Sequence, residues 1–133
     1  MNIMGFYRAI RQLNMPVRSL SSSALKWPEI HKVHEALCTW AYRQALYRPE
    51  ILQVGYIGSN ARGDWGVGSD LDLIVIIESS EEPFWRRALD FNFKEIPVPV
   101  DFLVYTQQEW YEMAMQPDLF YRTVQSEAAW VYM

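Results

Sequence analysis

The chain is poor in the residues that build disulfide or metal frameworks. It has one cysteine and two histidines in 133 residues. A lone Cys38 excludes an internal disulfide, and a reducing cytoplasm is the expected location. His31, His34 and Cys38 fall at helical i, i+3, i+7 spacing, a possible metal set. No further ligand lies near them, and Tyr42 and Ala45 continue the row. The expected reading is therefore a mixed helix face rather than a metal site. Long apolar runs are absent too. The longest, Leu71 to Ile77, is interrupted by Asp72 and has strand length, so no membrane span is expected. A basic surplus is missing: the net charge is −4, which argues against nucleic acid as a partner.

One stretch lacks acids altogether. Residues 1–28 hold Arg8, Arg11, Arg18 and Lys26, a cluster of serines, and no Asp or Glu. Ile3, Phe6, Tyr7, Ile10 and Leu13 have helical spacing, which predicts a short helix over 2–13. The composition suits three roles: an organelle-targeting leader, an arm packed on the acidic body, or an arm near bound phosphates. The division expected is a basic arm over 1–27 and one domain over 28–133.

Within that domain, Pro28 suits the first turn of a helix. Ile30, Val33, Leu37, Trp40, Ala41 and Gln44 make its buried stripe. Arg48-Pro49 ends it, since the residue before proline avoids helical angles. Residues 51–57 read as a strand running into Gly58-Ser59, and 63–68 as a glycine-rich loop. Leu71 to Ile77 is apolar on both parities, which predicts a central strand covered on both faces. A helix over 82–91, a strand over 98–105, a helix opened by the capping box Thr106-Gln107-Gln108-Glu109, a short helix after Pro117 and an edge strand over 129–132 complete the order. The expected class is α/β or α+β, with a small mixed sheet flanked by helices.

The chemistry concentrates in 58–72: Gly-Ser-Asn-Ala-Arg-Gly-Asp-Trp-Gly-Val-Gly-Ser-Asp-Leu-Asp. A small-residue turn binds phosphate through backbone N–H groups, which assigns Gly58 and Ser59 to the nucleotide. Asp70 and Asp72, one residue apart on a strand, point to one face and can hold a divalent metal. Arg62 is a planar donor for the same phosphates, or the partner of Asp64. Ser69 can orient Asp70 or touch a phosphate. Asp101 is the third carboxylate. Val98, Val100, Phe102 and Val104 fill the opposite face of its strand, so it points away from them, and a buried carboxylate needs a cation. Asp90 and Glu95 are weaker candidates, at a helix end and in a loop. Three carboxylates beside a phosphate turn fit two-metal phosphoryl chemistry with magnesium.

At these residues the chain resembles the minimal nucleotidyltransferases of the DNA polymerase β superfamily, through Gly-Ser-x-Ala-Arg-Gly and Ser-Asp-x-Asp-Leu. The resemblance covers about 28–133 and includes the tail from Asp118 to Tyr132. It implies the nucleotidyltransferase fold and places Asp70, Asp72 and Asp101 in the catalytic, metal-binding positions. It also implies AMP transfer from ATP with two magnesium ions. The acceptor it implies is a tyrosine of a helical HEPN-type toxin, with this chain as antitoxin. The alternatives are an aminoglycoside-like small-molecule transferase and a binding antitoxin without catalysis. A partner protein or a second copy is expected to complete the site, with Trp65, Trp110 and Tyr111 as candidate anchors.

Overall fold

The computed structural model describes residues 29–58 and 71–133. The expected helix over 2–13 and the glycine-rich loop lie outside them. Helix α1 (Ile30–Tyr47) opens the described chain and leads into strand β1 (Ile51–Gly58). Its stripe is as expected, with Val33, Leu37, Trp40 and Ala41 buried. β1 pairs antiparallel with β2 (Leu71–Ile77), and β2 pairs parallel with β3 (Val100–Thr106). The last strand, β4 (Ala129–Tyr132), adds antiparallel to the outer side of β1. The sheet order is β3-β2-β1-β4. It is the small mixed sheet expected, with β2 inside.

Every residue of β2 is buried, and alternation along the strand divides them between two cores. Leu71, Leu73, Val75 and Ile77 face α1, together with Phe102 and Val104 of β3. Ile74 and Ile76 face the opposite way, with Leu103 and Tyr105. Helices α3 (Gln107–Met115) and α4 (Leu119–Glu127) cover that second face through Trp110, Met113, Phe120 and Val124. The capping box at Thr106 and Glu109 is present in both directions. Asp118 caps α4 through the Tyr121 N–H at 2.8 Å.

The expected helix over 82–91 is shorter. It forms α2 (Phe84–Arg87), followed by a 3-10 turn over Ala88–Asp90. The cause is packing. Phe84 and Phe91, seven residues apart, would share one face of a continuous helix. Instead Phe84 joins the second core and Phe91 the first, so the chain must wrap the β3 edge between them. β3 starts later than the expected residue 98, after Pro99, whose carbonyl still accepts the Leu71 N–H at 3.3 Å. Among the described residues no helix is long and apolar enough to cross a membrane.

Candidate active site

β1 ends on Gly58, whose φ of 139° lies where L side chains are strained. Gly58 sits opposite Leu71, so the two strands converge where the phosphate turn was expected. One step further in, Ile57, Asp72 and Asp101 form a single row across β1, β2 and β3. Parallel register sets Asp72 directly beside Asp101. Neighbouring strands are about 4.8 Å apart, so the two side chains rise side by side from one face. That face is the one of Ile74 and Leu103, away from Phe102 and Val104, as the alternation in β3 requires.

Both carboxylates are buried: Asp72 is 1% exposed and Asp101 7%. Two like charges held this close repel, and a divalent cation between them reverses that effect. The hard oxygen donors suit magnesium. Asp72 and Asp101 therefore fit a metal-binding role. Among the described residues no cluster of three or more acid, histidine or cysteine side chains is gathered. Asp70, expected to be that ligand, lies outside the described residues, as do Ser59, Arg62, Ser69 and Trp65.

The rival residues are placed elsewhere. Glu95 is exposed and pairs with Arg43 of α1. Asp90 closes the 3-10 turn, and its carbonyl accepts from Arg48. The histidines and Cys38 do not converge. His31 lies beside Glu29 at 3.0 Å, and His34 Nδ1 is 2.8 Å from the Tyr56 hydroxyl. Burial and then Glu35 push the Cys38 thiol up, which leaves it a poor nucleophile. Burial and then Cys38 raise Tyr56 as well.

One residue has a role that periodicity did not reveal. Arg87 is a buried cation, and all its partners lie near the β3 edge. It donates to both Glu109 oxygens at 2.6 and 3.1 Å, to the Val104 carbonyl at 3.1 Å and to the Glu82 carbonyl at 3.0 Å. It thereby ties α2, β3 and the start of α3 together. Burial raises Glu109, but the Arg87 hydrogen bond, the Thr106 N–H and the Arg87 charge outweigh it and hold the carboxyl below its ordinary value. A signal was present in the sequence: Arg87 stands at i+3 from Phe84, on the apolar side of its helix.

Trp110, one of the expected anchors, is half-buried. It packs into the second core, with its ring 5.3 Å from Tyr105 and 5.0 Å from Tyr121. Tyr111, its neighbour, is exposed.

Residues 41–131 match the family profile of the nucleotidyltransferase domain. Among solved structures, the crystal structure of a "putative nucleotidyltransferase" from Sulfolobus solfataricus has the same fold. It aligns with a TM-score of 0.52 at 22% identity, over 71% of this chain and 84% of that one. No curated protein matches the chain. A family match across most of the domain, on a sheet that sets Asp72 beside Asp101, establishes that this chain belongs to the nucleotidyltransferase domain family.

Proposed function

We propose that the chain transfers AMP from ATP to a hydroxyl with two magnesium ions, and that the acceptor is a tyrosine of a helical, HEPN-type partner toxin in the cytoplasm. The in-register pair of Asp72 and Asp101 next to the Gly58 end of β1 carries this reading. Asp70, Asp72 and Asp101 would hold the metal. Magnesium would neutralise the triphosphate and the departing pyrophosphate and lower the cost of forming the attacking oxyanion. Gly58 and Ser59 would receive the phosphates through backbone N–H groups. Arg62 and Ser69 would add donors to them. Asp101, on the outer strand of the pair, would stand nearest the acceptor hydroxyl.

The protein acceptor rests on the family resemblance and on one physical point. Among the described residues no element covers the sheet end beside Gly58 on the acceptor side, and a wall that excludes water and orients the acceptor is what the proximity effect requires. A partner protein that presents its own tyrosine supplies both.

The test is incubation of the chain with its co-purified partner, ATP and magnesium, followed by intact-mass and peptide mass spectrometry. AMP on a partner tyrosine, absent with EDTA, is the expected result. An unmodified partner, together with fast transfer to a free aminoglycoside or small alcohol, would replace the protein acceptor with a small-molecule one.

A further inference from the structure

Asp101 stands where a side chain is hard to hold still. It is the second residue of β3, and β3 is an edge strand with β2 as its one neighbour in the described sheet. The ends of such strands open at little cost. Magnesium tolerates little freedom in its ligands, because it demands oxygens at about 2.0–2.1 Å in near-ideal octahedral geometry. A register slip of one residue would even turn Asp101 to the opposite face.

The far end of β3 has its own fastener, the Arg87 guanidinium on the Val104 carbonyl. The near end is held differently. The chain bends into β3 over residues 96–98, in the run Ile96-Pro97-Val98-Pro99. Each proline fixes its own φ near about −65° and restricts the residue before it, so the bend has few conformations to escape to. Ile96 and Val98 are buried in the first core, and Pro97 between them is exposed. Pro99 then closes a rung just before the strand: its carbonyl accepts the Leu71 N–H at 3.3 Å. Leu71 precedes Asp72 and pairs with Val100, which precedes Asp101. The rung therefore joins β3 to β2 immediately ahead of the two carboxylates.

We propose that Pro99 is a positioning residue for the carboxylate pair: its ring stiffens the bend that delivers its carbonyl to Leu71, and that rung keeps Asp101 level with Asp72. The proposal rests on the metal role read for the pair above. Pro97 has no such part. It lies in the same bend, but among the described residues its carbonyl accepts no backbone hydrogen bond.

Pro99→Gly and Pro97→Gly in the full chain separate this role from a general loosening of the bend. Each removes one proline constraint, so both should lower the melting temperature by similar small amounts. Hydrogen exchange reads the rung without any metal. The Leu71 amide should exchange about tenfold faster in Pro99→Gly than in the wild type or Pro97→Gly, while the Val75 amide, deeper in β2, stays within about twofold. Manganese, followed by the electron paramagnetic resonance of the free ion, probes the pair itself, since it shares magnesium's preference for carboxylates. Pro99→Gly should bind it about tenfold more weakly than Pro97→Gly, with Asp72→Asn marking the affinity left without the row. Pro99→Ala, which frees φ without the wider range of glycine, should shift both readouts less and in the same direction. A Leu71 amide indifferent to Pro99→Gly, or equal effects of the two glycines, would overturn the positioning role while leaving the metal role standing. A wild type that binds manganese no better than Asp72→Asn would remove the metal role, and the proposal with it, even where exchange at Leu71 responds as expected.

Discussion

Asp72 and Asp101 face each other across the one parallel strand pair of the described sheet, residue for residue in register. Parallel pairing brings the starts of β2 and β3 to the same end, where β1 delivers Gly58. The crossover from β2 to β3 passes through α2 and the 3-10 turn. Three segments distant in sequence thereby meet at one sheet end.

The metal role proposed for that pair predicts metal-dependent nucleotide binding. Isothermal titration with ATP should give clear binding in magnesium and much weaker binding in EDTA. Asp72→Asn should abolish transfer and leave the melting temperature unchanged or raised, because removing one of two adjacent like charges relieves repulsion. Equal ATP affinity with and without metal would remove the case for a metal at this row.

Asp101 should separate binding from chemistry. In the proposed reaction it is the carboxylate nearest the acceptor and would contribute less to holding the triphosphate. Asp101→Asn should bind ATP nearly as well as the wild type and lose roughly two to four orders of magnitude in rate, the range for removing a positioned base. Titration on the same preparation as single-turnover kinetics distinguishes this from misfolding. A fully active Asp101→Asn would move the third carboxylate elsewhere.

The carboxylate row was legible because its signals are local. Asp72 interrupts an apolar strand, and Asp101 stands at the odd position of a strand whose even positions are apolar. Two-residue periodicity assigns both faces without knowledge of the partner strand. The capping box at Thr106 was equally local. What the sequence concealed depends on contacts between distant segments. The break at Ala88 follows from where Phe84 and Phe91 must pack. The Arg87–Glu109 pair joins residues whose separation no periodicity links. Trp110 looked like a surface anchor by composition, but only the placement of Tyr105 and Tyr121 draws it inward.

Gly55 offers a test of how β4 is held. The Trp130 ring lies flat on it, and a Cβ there would come within 2.5 Å of Trp130 Cε3. The ring packs against the second core, so moving it aside costs those contacts. Gly55→Ala should destabilise the fold by about 1–3 kcal/mol, the usual cost of overpacking. Trp130→Ala in the same background should recover part of that loss in a double-mutant cycle. Additive losses in chemical denaturation would show that the two residues do not compete for the same space.

The Arg87–Glu109 pair should govern stability toward acid. Arg87→Ala takes the guanidinium donors from the Glu109 carboxylate, which keeps only the Thr106 N–H, and from the Val104 carbonyl. Breaking a fully buried pair costs about 3–5 kcal/mol. Glu109 keeps part of its hydration, so a loss of about 2–3 kcal/mol is expected at neutral pH. Arg87→Lys should recover little, because one ammonium cannot serve both carboxylate oxygens, Val104 and Glu82 together. The sign with pH is fixed by the lowered Glu109 carboxyl. Folding favours its ionised form, so the contribution is complete above the ordinary value of 4.5. It disappears as the pH falls below that value and through the lowered one of the folded protein. Urea denaturation of wild type and Arg87→Ala across this window should show two stability curves, well separated at neutral pH, that approach each other on acidification. Curves that stay parallel would place the worth of Arg87 in its carbonyl contacts and packing over Phe84, and not in its charge on Glu109.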